Sequence, residues 1–111
     1  MSADTFSFMF NPSGSTSVDA DVRPVTFGLD QNYPNPFNPT TRIDFRLSAQ
    51  AQTSLKVYDL LGREVATLVA EQLDAGYYAR TLNAENLSSG IYFYRLTSGN
   101  RVDTKRMLLL R

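Results

Sequence analysis

The chain of 111 residues contains no cysteine, no histidine and no tryptophan. Each absence closes a class of function. Without cysteine there is no disulfide framework and no thiolate metal site, although the lack suits either side of a membrane and fixes no compartment. Without histidine the commonest general base and metal ligand is missing, and cysteine would have been the strongest nucleophile. Charge of one sign is also lacking. Eleven acidic residues balance eleven basic ones, and the nine arginines and two lysines are scattered, so nothing favours a nucleic-acid partner. No apolar run approaches the ~18 residues that a membrane helix needs. The opening MSADTFSFMF has neither a basic start nor an apolar core, so it is not a signal peptide, and an export leader would lie upstream in a longer parent. Neither a glycine-rich phosphate loop nor a calcium-loop spacing occurs.

Paired carboxylates would still allow glycoside chemistry. Asp59 and Asp74 fall in turns, however, and Asp44 and Asp103 alternate along strands, while Asp4, Asp19 and Asp21 precede the domain. Each reads as turn chemistry or a solvated face. No catalytic, cofactor-binding or metal-binding residue is assigned, and an enzyme is not expected.

What the sequence does contain is ordinary globular material, 42% hydrophobic and 20% charged, in a length that fits one domain and a tail. In TFSFMF, residues 5–10, alternation puts Phe6, Phe8 and Phe10 on one side of an extended segment, read as the last strand of a preceding domain, the alternative being an extra strand packed on this one. Asn11 to Pro24 (NPSGSTSVDADVRP) is rich in Ser, Asp, Gly and Pro with almost no core material, and reads as a linker. The division is therefore 1–24, the end of a preceding region and a linker, and 25–111, a folded domain.

The domain is organised around Gln31 to Leu47, QNYPNPFNPTTRIDFRL. Pro34, Pro36 and Pro39 each lack a backbone donor and push Tyr33, Asn35 and Asn38 out of the helical region. An extended segment with Asn-Pro turns results, with Tyr33 and Phe37 as its expected apolar anchors, although composition alone would favour a rigid linker between domains. From Thr40 onward Ile43, Phe45 and Leu47 alternate with Arg42, Asp44 and Arg46, which predicts a strand with one buried face.

Ser54 to Asp59 predicts a second strand with Leu55 and Val57 inward. Asp59-Leu60-Leu61-Gly62 matches a type I turn, with Asp first and Gly fourth. In residues 63–70 Val65, Leu68 and Val69 have helical spacing, but a hairpin is the simpler product of the turn, so a strand is expected. Gly76 to Asn83 is the next strand, with Tyr78 and Leu82 on one face and Tyr77 and Ala79 on the other. Gly90 opens IYFYRL, whose apolar character on both faces predicts a central strand covered on both sides. Ser98-Gly99-Asn100 is a hairpin turn, and a last strand runs from Val102 to Leu110. About seven short strands between turns argue an all-β, immunoglobulin-like antiparallel β-sandwich.

NYPNPFNPTTRIDFRL, VYDLLGREV (57–65), AGYYARTLN (75–83), SSGIYFYRL (89–96) and TKRMLLLR (104–111) follow one another as blocks. In order and spacing they resemble the C-terminal sorting domains (the Por secretion tail family) of the type IX secretion system of Bacteroidetes-like bacteria. The motif positions are Asn32, Tyr33, Pro34, Asn35, Pro36, Phe37, Asn38, Pro39, Thr40, Thr41, Asp59, Gly62, Gly76, Gly90 and Tyr92. Leu82 stands where such domains often carry tryptophan, a core substitution. The resemblance implies the same sandwich and a non-enzymatic export signal for a larger cargo. It also implies partners: the outer-membrane translocon with its shuttle, and a sortase-like peptidase. That peptidase removes many such domains and can attach the cargo to surface lipopolysaccharide. The cargo would pass through the periplasm to the cell surface or medium, with cleavage expected between Ser17 and Phe27.

The last strand is the expected recognition element, through Thr104, Lys105, Met107, Leu108, Leu109, Leu110 and Arg111. Alternation can bury only about half of the four apolar residues Met107 to Leu110, and a terminal strand at a sheet edge could offer backbone groups for strand addition. The alternative is that these residues only complete the core. A different alternative for the whole domain is a carbohydrate-binding or structural accessory module of a secreted enzyme. It would use Tyr77, Tyr78, Tyr92 and Tyr94, provided that two or more tyrosines line one flat exposed face.

Overall fold

A computed structural model of the chain describes residues 24–111; the aromatic segment 5–10 and all but the last residue of the linker lie outside them. The described residues form seven strands: β1 Gly28–Leu29, β2 Thr40–Leu47, β3 Ala51–Tyr58, β4 Glu64–Leu73, β5 Gly76–Asn83, β6 Gly90–Ser98 and β7 Arg101–Leu109. They make two antiparallel sheets, in the orders β1-β2-β5 and β4-β3-β6-β7. No helix occurs among the described residues.

Alternation builds the core. In β2 Thr41, Ile43, Phe45 and Leu47 turn inward, and in β3 Thr53, Leu55 and Val57 do the same. Beside β3, Tyr92, Tyr94, Leu96 and Ser98 of β6 and Met107 and Leu109 of β7 face the β2 residues, so both sheets contribute to one cluster. Such two-layer packing is how a sheet hides its single apolar face. Leu82 is buried in this cluster, as a core substitution requires.

Two features tie the topology to the immunoglobulin-like class. The first, second and fifth strands form one layer, and the fourth joins the third, sixth and seventh in the other. In addition, the Tyr92 hydroxyl donates to the Ser88 carbonyl at 2.7 Å. This is the tyrosine corner, which pins the loop before a central strand to that strand's own start.

Two differences from the sequence-based expectation, and the helix-like spacing inside the expected strand β4, have physical causes. The two-residue β1 pairs Gly28 with Arg46 and Leu29 with Phe45, too short a run to show alternation. A side chain at Gly28 would displace the Arg46 guanidinium, the movable end of a flexible side chain. The helix-like spacing in β4 reflects register shifts against β3, between Leu55 and Lys56 and between Val57 and Tyr58. Each shift resets which residues face inward, so Val65, Ala66, Leu68 and Val69 all reach the core without a helix. Finally, β6 is central within its sheet but only one of its faces is covered. Ile91 and Phe93 are half-buried on an outer face that no second layer closes among the described residues.

Candidate functional site

Residues 30–39 form a strap that runs from β1 to β2 along the edge of β7. Phe37 holds it, with its ring 2% exposed in the common core. Backbone pairing does the rest. Phe37 N–H donates to the Leu108 carbonyl and Leu110 N–H donates to the Phe37 carbonyl, each at 3.0 Å, making a parallel bridge to β7. The Asn35 side-chain oxygen accepts from Leu108 N–H at 3.0 Å, and Gln31 Nε2 donates to the Arg106 carbonyl at 2.7 Å. At its far end Ala84 N–H donates to the Pro39 carbonyl.

The second anchor is not Tyr33, whose ring is 81% exposed. Tyr33 exchanges both backbone hydrogen bonds with Arg42, each at 2.9 Å, and this pairing turns its side chain outward. Asn32 takes the inner place and is 2% exposed. Its Nδ2 donates to Thr41 Oγ1 at 3.0 Å and to the Pro34 carbonyl at 3.1 Å, while Gln31 Nε2 donates to its Oδ1. Tyr94 reaches across from β6: its hydroxyl accepts from Asn32 N–H at 2.8 Å and donates to the Asp30 carbonyl at 2.7 Å. Burial, with Asp30 and Asp103 nearby, pushes the Tyr94 phenol up to about 12, against the opposing hydrogen bond from Asn32.

β7 is an edge strand, as expected, but its last turn-outward groups are taken. The strap occupies the Leu108 amide and carbonyl, the Leu110 amide and the Arg106 carbonyl. Strand addition along 106–110 is therefore closed while the strap is in place. Met107 and Leu109 are core residues, Leu108 is half-buried on the outer face, and Leu110 is exposed. Arg111 turns inward at the rim, with Nη1 within 2.6–3.0 Å of the carbonyls of Ala84, Glu85 and Leu87, and its N–H donates to Ser89 Oγ. Thr104 is exposed, and Lys105 is half-buried opposite Tyr94. Of the seven expected recognition residues, Met107, Leu109 and Arg111 thus hold the fold.

The remaining motif positions are turn and boundary residues. Asp59 Oδ1 accepts from Leu61 N–H and Arg63 N–H, both at 2.9 Å, and Oδ2 accepts from Arg63 Nε at 2.8 Å. The Arg63 amide, ahead of the Arg63 guanidinium and the Leu61 amide, holds the Asp59 carboxyl below its ordinary range. Gly62 closes that turn at φ +83°, a conformation L side chains avoid. Gly76 and Gly90 open β5 and β6 opposite Leu47 and Leu109. Pro34, Asn35, Pro36, Asn38 and Thr40 are exposed, whereas Thr41 is buried.

The tyrosines do not line one flat face. Tyr92 and Tyr94 are buried, Tyr78 stacks on Phe45 with ring centroids 5.3 Å apart, and Tyr77 alone of the four is exposed. Among the described residues no three acidic side chains cluster as a metal site. No helix there is long and apolar enough to cross a membrane.

Comparison with known proteins fits this arrangement. The model of the family described as "Secretion system C-terminal sorting domain" matches residues 31–110, from the start of the strap to the end of β7. The chain belongs to this family. Its members are C-terminal sorting signals for type IX secretion. No curated protein matches the chain significantly. Among solved structures the fold is similar to that of PorZ, described as an essential bacterial surface component of the type IX secretion system of Porphyromonas gingivalis. That match has a TM-score of 0.51 and 23% identity, covering 88% of this chain and 13% of the other.

Proposed function

We propose that this sorting domain acts without catalysis, as a folded handle by which the type IX translocon and its outer-membrane shuttle take hold of an attached cargo. The carrying observation is that the family's leading motif, NYPNPFNPT, is built into the domain: Phe37 and Asn32 lie in its interior and the strap closes the edge of β7. A motif that were only a linker would not spend its most apolar side chain on the core. Recognition then acts on the surface of the assembled module, in which Thr104, Leu108 and Leu110 are accessible. Export carries the cargo through the periplasm to the cell surface or medium, and a sortase-like peptidase cuts before the fold, between Ser17 and Phe27. The division at residues 24 and 25 belongs to the same reading, and limited proteolysis is expected to leave a resistant fragment starting near Val25.

The test is removal of residues 25–111 from the parent protein in its native host. The cargo is expected to accumulate in the periplasm and to disappear from the surface and medium. Undiminished surface cargo after this deletion contradicts the proposal.

A further inference from the structure

The outer faces of the two sheets differ in a way that singles one out. On the three-stranded sheet the outward charges neutralise each other: Arg42 pairs with Asp44 at 2.7 Å and Arg46 with Asp30 at 2.8 Å. On the four-stranded sheet Ile91, Phe93 and Leu108 form an apolar ridge, with Ile91 opposite Leu108 and Phe93 opposite Arg106. Two guanidinium groups stand in that ridge. Arg95 lies over the Tyr58 ring at 5.2 Å from its centroid, and neither Arg95 nor Arg106 meets a carboxylate among the described residues. The nearby acids are already engaged, Glu64 with Lys56 and Asp59 with Arg63. Two shallow clefts of about 350 and 370 Å³ open on this face, one floored by Phe93 and Arg95, the other by Ile91, Arg106 and Leu108.

We propose that this face is the docking surface for the export machinery, and that it takes a protein segment carrying apolar side chains beside carboxylates. The charge pattern selects that occupant. Uncompensated guanidinium groups beside half-buried apolar side chains favour a partner that brings carboxylates, which they can grip bidentately. A second copy of this face would set arginine against arginine, which opposes self-association. The ridge is also a structurally safe contact, because the inward residues of the same strands already fill the core. This inference rests on the sorting reading only in naming the export machinery as the partner.

The test fuses the full chain to a periplasmic reporter in a host with a working type IX system. The arms are the unaltered chain, Arg95→Glu/Arg106→Glu, Arg95→Lys/Arg106→Lys, Phe93→Ser, and Tyr77→Ser on the opposite sheet. The urea midpoint of each purified chain is measured alongside. Export is expected to fall at least about fivefold for the charge reversal and for Phe93→Ser. The lysine pair is expected to keep most of it, Tyr77→Ser all of it, and the reversal to leave the midpoint unchanged. Equal export from the unaltered and reversed chains overturns the docking surface, as does loss that merely tracks a lowered midpoint. Arginine-dependent binding of the purified chain to phosphatidylglycerol vesicles, or an arginine-dependent dimer, would reassign the face to a membrane or to a second copy. Failure of the unaltered fusion to leave the periplasm refutes the sorting reading instead, so the two failures are distinct.

Discussion

Tyr94 and Phe37 connect the irregular strap to the regular sandwich, by different physics. The Tyr94 hydroxyl serves Asn32 N–H and the Asp30 carbonyl from a fully buried position. Tyr94→Phe leaves a buried amide without its acceptor, and we expect a loss of ~1–3 kcal/mol in urea unfolding. The same phenol makes stability depend on alkaline pH. Below pH 10 folded and unfolded chains both keep its proton. Between pH 10.0 and about 12 the unfolded chain releases that proton while the folded one holds it. Stability therefore falls as pH rises through this window, by up to ~1.4 kcal/mol per unit, and is flat for this group below it. Subtracting the Tyr94→Phe profile isolates the effect; parallel profiles for the two proteins contradict it. The Phe37 ring works by burial, and Phe37→Ala, which keeps the backbone pairing with β7, is expected to cost ~3 kcal/mol in the same assay. A change below ~0.5 kcal/mol would mean that the strap is dispensable to the fold.

Elements carry the next level of the account. β7 is held on one side by β6 and on the other by the strap, while Arg111 fastens its end to the loop before β6. Deleting Met107 to Arg111 removes two core residues, the strap's pairing partners and that fastening. The shortened chain is expected to lose its β-sheet circular dichroism, so its failure to be exported would report unfolding and not a missing contact. A truncated chain that stays folded contradicts this reading. This is also where the sequence was legible and where it was not. Alternation in β2 and β3 and the Asp59–Gly62 turn are local patterns, and they appear in the structure where the residues place them. The prolines showed that residues 33–39 are extended but not what they lie against, because the partner, β7, is some seventy residues away in sequence. Tyr33 looked like an anchor by its apolar ring. Its backbone pairing with Arg42 decided otherwise, and pairing leaves no trace in composition. Asn32 and Arg111 show the converse: polar side chains give no sign in sequence that they will be spent on internal hydrogen bonds.

At the scale of the whole molecule, the described residues form a sandwich whose irregular leading segment is welded to its final strand, so both ends of the family's motif order meet in one place. That closure joins the leading segment to the last strand through backbone hydrogen bonds of the domain's own residues. It also covers part of an edge strand, which limits unwanted strand pairing. The measurement that bears most directly on this account is sufficiency: residues 25–111 are fused to an unrelated, folded periplasmic reporter. The reporter is then assayed outside the cell in a host with an intact type IX translocon and in one lacking it. The account predicts reporter at the surface or in the medium only when the translocon is intact, and none for the fusion carrying Phe37→Ala under conditions where that variant is unfolded. Reporter outside the cell in equal amounts in both hosts, or confined to the periplasm of both, would contradict it.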